Sequence, residues 1–533
     1  METKRTQHRS ITERWVVTGT LLLETPAHFG NGDADALTDM PLLVDEVNGK
    51  PLLPGTSIAG ALRNYLRERA LGYGKKENGD SLATTLFGGF RGDDEGAQSP
   101  LIVFDAPGHS AGMELRDGVA IDPETRTAAD EKKFDMQLLA AGSTFDLRFE
   151  LAANENSVEL LNALATALQG LEDGQVTLGA RKRRGFGQVT VTNWKFWKYD
   201  LSKQNDLLAW LTSEHPQEKD GKPTLWKDAP TVTTLENDKN EKNAIAKLLG
   251  VQLDGKDERS KAHLTATFSI DGTLMIRSGF GASDSGPDMV HLHSPRAGKE
   301  ERVPVIPGTS WAGVLRQRAL KIARTVSNDI KAIDKNGETR TKKVKGETVD
   351  VLKAEVFVDE MFGPSSIERG NKNVKASRVY IKESEIKDST SLVVTRVKID
   401  RFTGGAYESA LFSEQPVVGK IETQVTLDLT LRKKAQSETS EDTQKTEKEF
   451  EAEMGLLLLL LKDLWTGDLP IGGESSVGRG RLKGLGAELK TSQGTWTFTT
   501  DGEKIIITPN SDSPEAWVTE FNKEVKKAQV NHV

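Results

Sequence analysis

The sequence contains no cysteine. That absence excludes disulfide frameworks, thiolate zinc sites, iron–sulfur clusters and cysteine nucleophiles, and it fits a reducing cytoplasm, the expected location. Long apolar runs are missing too. The greasiest stretch, residues 456–461, is followed at once by Lys462 and Asp463; it falls far short of the roughly 20 residues that span a bilayer and reads as a buried helix. The N-terminal METKRTQHRSITERWVV lacks the apolar segment and small-residue cleavage site of an export signal. Net positive charge is also absent: the formal charge is −8, which argues against a generally adhesive polyanion binder, so any such surface must be local. Much of the excess is concentrated in residues 436–453, with seven acidic residues and two lysines among Ser and Thr, a composition expected of a solvated loop. The scaffolds GxxxxGK[ST], GxSxG and HExxH do not occur, and the eight histidines show no ligand spacing.

What is present is a repeat. Residues 54–63 read PGTSIAGALR and residues 307–316 read PGTSWAGVLR, eight identities in ten at an offset of 253. Residues 121–128, IDPETRTA, match 399–406, IDRFTGGA, at an offset of 278. Residues 178–189, LGARKRRGFGQV, match 471–482, IGGESSVGRGRL, at an offset of 293, with three glycines kept in place. The order is preserved and the offset grows, so the second copy carries insertions, expected at 326–348 and 437–453. A chain of 533 residues also exceeds the size at which one core stops growing. Two domains are expected, 1–255 and 256–533.

Each copy opens with strand-like alternation, at Trp15, Val17, Gly19, Leu21 and Leu23 and at Leu264, Ala266, Phe268 and Ile270. Each then enters a helix at PGTS, where Ser57 and Ser310 are the expected caps. A second helix is expected at 157–169 and at 449–464, before the glycine motif and a closing strand. The order β, α, β-rich middle, α, β predicts an α+β fold: two tandem ferredoxin-like (RRM-like) domains with helices on one face of an antiparallel sheet.

Three segments carry candidate chemistry. The helix starts, Gly55-Thr56-Ser57 and Gly308-Thr309-Ser310, offer free amides and a helix dipole to a phosphate, with Arg63 and Arg316 two turns on; an ordinary capped helix is the plainer reading. Arg181, Lys182, Arg183, Arg184 and Phe186 combine cations with a ring inside a glycine-rich loop, as a polyphosphate-tracking loop would. The second copy has Glu474, Ser475 and Ser476 there, with Arg479 and Arg481 following. Four aspartates, Asp33, Asp35, Asp39 and Asp45, precede the first PGTS. Loop aspartates usually satisfy backbone amides, although clustered carboxylates also hold divalent cations. The Asp-Met pair shared by TDMPLLVD and PDMVHLHS singles out Asp39 and Asp288. His28 and His293 occupy different places in the two copies, which disfavours a shared histidine mechanism.

Together, Asp39-Met40-Pro41, the PGTS helix start, IDRFTG at 399–404 and the terminal glycine loop resemble the RAMP superfamily over most of both halves. The closest likeness is to the backbone subunits of type III CRISPR effectors, and two modules in one chain resemble the double-backbone subunit of the type III-D variants. The resemblance implies domains that grip guide RNA along a basic surface, Arg401 included. Each would push an inserted thumb-like hairpin through the guide–target duplex. It implies cleavage of complementary target RNA beside each hairpin by the target's own 2′-hydroxyl, with Asp39 and Asp288 catalytic and holding a divalent cation, Mg²⁺ or Mn²⁺. Implied partners are the guide, the target, a large polymerase/cyclase-like subunit, other RAMP backbone subunits and guide-end-capping subunits; no membrane is involved. The second copy departs from the pattern, since no proline follows Met289 and four extra residues separate Asp288 from Pro307. Two alternatives stay open: a non-catalytic filament subunit that protects guide RNA, and a guide-processing enzyme, which the unmatched histidines disfavour.

Overall fold

The computed structural model describes residues 11–527 apart from 33–38, 78–80, 90–95, 123–124, 126, 155–157, 213–217, 220–221, 224–231, 235–243, 254, 279–285, 334–337, 345–346, 365–374, 436–438, 502–503 and 510–512. Among the described residues no helix is long and apolar enough to cross a membrane. The first copy runs β1 (Glu13–Leu23), α1 (Gly55–Leu71), β2 (Leu101–Val103), β3 (Met113–Ile121), β4 (Ala128–Leu139), β5 (Thr144–Ala153), α2 (Val158–Glu172) and β6 (Val189–Asp200). The second runs β7 (Lys261–Asp271), α3 (Gly308–Ser327), β8 (Val379–Ile381), β9 (Val394–Ile399), β10 (Ala406–Gln415), β11 (Gln424–Arg432), α4 (Ser440–Trp465) and β12 (Arg481–Thr491). It then adds β13 (Gly494–Asp501), β14 (Lys504–Thr508) and α5 (Ser513–Lys526).

The two sheets share one plan. β1 lies antiparallel between β5 and β6, and β2 pairs with β5. β7 lies likewise between β11 and β12, and β8 pairs with β11. Alternation places Trp15, Val17, Leu21 and Leu23 on the buried face. Over them lie Ile58, Leu62 and Leu66 of α1 and Leu161, Leu164, Leu168 and Leu171 of α2, all buried at helical spacing. Each such aliphatic side chain withdrawn from water contributes about 1.5–3 kcal/mol. In the second copy Leu264, Ala266, Phe268 and Ile270 meet Trp311, Leu315 and Ala319 of α3 and Leu457, Leu460 and Leu464 of α4. One core draws on Trp15 to Leu249 and the other on Ala262 to Val525. This is the expected ferredoxin-like arrangement, made twice.

Two local expectations are corrected. The PGTS helices begin three residues early, with Pro54 and Pro307 at the N-cap and no side-chain cap from Ser57 or Ser310. Proline there supplies the extended backbone that precedes a helix. The glycine after it is sterically required: a Cβ on Gly55 would lie 2.3 Å from the Val103 carbonyl oxygen, and one on Gly308 2.3 Å from that of Arg184. Much of the acidic stretch 437–453 is not loop but the first turns of α4. Thr439 caps it by accepting the Asp442 amide at 3.3 Å, Glu441 and Asp442 suit the positive helix start, and Phe450, Ala452 and Met454 are buried.

The copies meet head to tail. The glycine loop of the first seats against α3 and β8 of the second, where the Arg184 carbonyl fills the space beside Gly308 and Gly185 lies against the Glu383 amide. Arg116 of β3 is buried at this joint, paired with Glu383 and donating to Ser294 Oγ at 2.8 Å. Arg296 reaches the other Glu383 oxygen at 2.6 Å.

Candidate functional site

A hairpin outside the main sheet projects from each copy, β3–β4 in the first and β9–β10 in the second. They are superimposable residue for residue in register. Ile121 faces Ala128 and Val119 faces Lys133; 278 positions on, Ile399 faces Ala406 and Val397 faces Leu411. Both carry a register shift at the same place. The shared ID motif is explained at the turn. Asp122 accepts the Thr125 amide at 3.0 Å, and Asp400 accepts those of Phe402 and Thr403 at 2.7 and 2.9 Å. A short side chain that satisfies turn amides holds the tip in shape before any partner arrives. Val119, Ile121, Val397, Ile399 and Leu411 are exposed, and Phe402 at the second tip is 98% exposed.

The loop aspartates lie where these hairpins join the body. Met40 bridges Met136 in parallel, and Met289 pairs in parallel with Glu414. Asp39 Oδ2 accepts the amide of Asp135 at 2.9 Å. Asp288 Oδ2 accepts the Ser413 amide at 2.7 Å and the Ser413 hydroxyl at 3.0 Å. Those bonds favour the ionised form, so the exposed Asp288 carboxyl titrates below its usual range. Asp135 and Ser413 are themselves separated by the hairpin offset, so the two aspartates occupy one structural position.

The surroundings of the two carboxylates differ. Beside Asp39, the Oδ1 of Asp135 is buried with no hydrogen-bond partner. A pair of carboxylates with one unsatisfied oxygen fits a hard divalent cation whose remaining ligands are water and phosphate. Beside Asp288 the second carboxylate is replaced by the Ser413 hydroxyl, a poorer fit. Among the described residues no group of three His, Cys, Asp or Glu gathers into a metal site. Asp45 is a turn residue, accepting the Val47 amide at 2.9 Å and the Asn48 side chain at 2.8 Å; Asp33 and Asp35 lie outside the described residues.

The glycine loops form the hairpin bases, with opposite chemistry. In the first copy Phe186 packs in an apolar cluster with Met136 and Leu138, against Met40 and Phe134. Phe186 is 3% exposed, so the expected base-stacking ring is core instead. Arg181 stacks on Phe134 at 4.2 Å. Burial lowers the pKa of Arg181, Lys182 and Arg183 and pushes Arg184 down to about 10, with Arg316 adding repulsion there. The Nη1 of Arg184 is buried and unpartnered. Arg181 and Lys182 nonetheless keep exposed surface, so an arriving anion can reach them, whereas Arg184 is turned into the joint between the copies. In the second copy the same base is ionic. Arg479, 6% exposed, pairs with Glu414 at 2.9 Å and Glu474 at 2.5 Å, and Arg396 reaches both carboxylates. Arg479 is therefore internally neutralised rather than open to phosphate.

Other expected contacts also turn inward. The Gly55 amide is already bonded to Asp105 at 2.7 Å, although Thr56 and Ser57 are exposed. Gly308 is sealed by Arg184, with Thr309 and Ser310 half-buried. Arg63 pairs with Glu77 at 3.0 Å and donates to the Gly88 carbonyl; Arg316 does the same with Asp359 and Gly363. These arginines brace their own domains. Arg401 stays exposed in the hairpin turn, and the exposed Arg481 donates to the Gly467 carbonyl at 3.2 Å. His28 and His293 bond different backbone carbonyls, those of Gln137 and His291. Sequence reasoning missed Asp135, whose signal was available: the 278 offset maps it onto Ser413.

A model of the RAMP superfamily matches residues 20–190 and 273–483. The chain is similar to the CRISPR system Cms endoribonuclease Csm3 of Streptococcus thermophilus, 28% identical over 214 residues, which is 35% of this chain and 93% of that protein. It is equally similar, 28% over 214 residues, to the protein of the same name from Mycobacterium tuberculosis, covering 34% of this chain and 86% of the relative.

Proposed function

Because the chain belongs to the RAMP superfamily, matched over both of its copies, we propose that it is a guide-RNA-binding backbone subunit of a type III CRISPR ribonucleoprotein that cleaves guide-complementary RNA beside each hairpin. One observation carries the reading: a loop aspartate fixed to the returning strand of a projecting hairpin, built twice at equivalent positions. The relatives named as endoribonucleases support the reaction class.

The chemistry follows from the placement. A hairpin that displaces one nucleotide of a duplex frees its ribose to bring the 2′-oxygen in line with the neighbouring phosphorus, and alignment of that kind removes much of the barrier. The amide of Asp135 holds one oxygen of Asp39, whose side chain is exposed. Asp288 is held ionised by Ser413, which suits charge placement better than proton abstraction. At the first site Asp39 and Asp135 would hold a divalent cation, which would supply charge neutralisation at the phosphate. Arg181, Lys182 and Arg183 grip the guide phosphates.

A scaffold role for the second copy has its own support, since the amide and hydroxyl of Ser413 both occupy the Asp288 oxygen and Glu474 replaces Arg181. The deciding experiment is cleavage of labelled guide-complementary RNA by the reconstituted complex in Mg²⁺, with Asp39→Ala, Asp288→Ala and the double variant. Loss of one product in each single variant supports two active sites. Survival of the Asp288→Ala product assigns the second copy to scaffolding, and survival of every product with RNA bound overturns the nuclease reading.

A further inference from the structure

The joint between the copies is heterologous: a plug on one, a seat on the next. On the first copy the plug consists of Glu114, Arg116 and the Arg184–Gly185 corner. Glu114 and Arg116 are 7% and 5% exposed there, and the seat answers them with Ser294, Arg296 and Glu383. The 278 and 293 offsets identify the same plug on the second copy, where none of the described residues repeats the buried joint. Glu114 becomes Leu392, Arg116 becomes Val394, and Arg184 becomes Val477. Leu392, its neighbour Val393 and Val477 are 47%, 56% and 62% exposed. Gly185 is packed against the Glu383 amide, whereas a Cβ on Gly478 would meet nothing within 4 Å.

The corresponding seat on the first copy is not complementary to this outer plug. Glu383 maps to Asp105 and Ser294 to Asp45, both committed to their own backbone amides. Stacking a second chain there would press Val394 onto carboxylates and strip them of water with no cation in return, an unfavourable exchange. A cluster of exposed aliphatic side chains placed where an existing joint would continue is the signature of a surface that is normally covered.

We propose that Leu392, Val393, Val394 and Val477 dock a different polypeptide, one that presents an apolar seat in place of Ser294 and Glu383, and that a second copy of this chain is excluded from the position. The inference needs the joint alone and stands apart from the cleavage assigned above. In the test, the ribonucleoprotein is isolated from cells in which the chain assembles and treated with an amine-reactive cross-linker; the exposed Lys387 and Lys398 lie five residues before Leu392 and four after Val394. Cross-links from these lysines to another polypeptide are expected. A Leu392→Glu/Val393→Asp/Val477→Asp variant should lose that neighbour about tenfold in occupancy while its melting temperature stays unchanged. A milder Leu392→Ser/Val393→Ser variant should lose part of it. Cross-links to residues 45–105 of a second copy, a neighbour retained at full occupancy in the charged variant, or a face with no cross-linked partner would each overturn the proposal.

Discussion

Asp39 accepts the backbone amide of Asp135, 96 positions further along the chain, at 2.9 Å. That bond ties a loop carboxylate to the returning strand of the first hairpin and brings Asp135, with its unsatisfied oxygen, alongside. Replacing Asp135 by Asn should therefore raise the Mg²⁺ concentration needed for the cut beside Asp39 by roughly ten- to hundredfold, the usual penalty for weakening a cation's surroundings. The cut beside Asp288 should be unaffected. A Mg²⁺ titration of the two products checks this, and equal shifts at both would sink the assignment.

Guide RNA binding should depend on the first glycine loop more than on the second. Arg181→Ala and Arg183→Ala should each lower the slope of log affinity against log salt by about 0.7, the value for one single-strand phosphate contact. Arg479→Ala, by contrast, leaves the buried Glu414 short of a partner and should reduce stability with little change in slope. Binding isotherms at several salt concentrations separate the two behaviours.

The repeat and its sheet were legible because PGTS, ID and the glycine loop survive as strings, and because alternation and helical spacing mark buried faces. The equivalence of Asp39 and Asp288 was legible through the shared Asp-Met pair. The fates of Phe186 and Arg479 were not, since each is decided by residues far along the chain: Met136 and Leu138 bury the ring, while Glu414 and Glu474 neutralise the guanidinium. The stretch 437–453 looked solvated because its buried positions, Phe450, Ala452 and Met454, come only at its end.

The inter-copy joint should respond asymmetrically to single and paired substitutions. Burial alone would raise the Glu383 pKa, but Arg116 and Arg296 outweigh it and hold the carboxyl below its usual range. Arg116→Met removes the stronger support and should cost about 3–5 kcal/mol. Adding Glu383→Gln should restore part of that loss, since Glu114, paired with Arg116 at 2.7 Å, still lacks its cation. Urea denaturation of the single and double variants reads the difference; an equal loss in both would mean that the pair is merely adjacent.

His291 predicts acid sensitivity in the second copy. It is buried, accepts the Ile276 amide at 3.1 Å and donates to the Val305 carbonyl, and burial followed by repulsion from His293 pushes its pKa down to about 3. The folded pKa lies below the unfolded value, so the contribution is complete above pH 6.5 and is lost as pH falls from there toward 3. His291→Leu, which installs the residue the first copy carries at Leu42, should flatten the dependence of melting temperature on pH between 6.5 and 4.5. A slope identical to the parent's would assign the acid sensitivity to other groups.

The head-to-tail joint sits inside one polypeptide, so its two halves never separate into solution. In an assembly of free subunits, the interval between successive hairpins depends on concentration and on which protomer arrives next. Here dilution cannot alter it, and neither can exchange: the effective concentration of one copy for the other is set by the linker. Two hairpins are thereby synthesised already in order, one of each per chain.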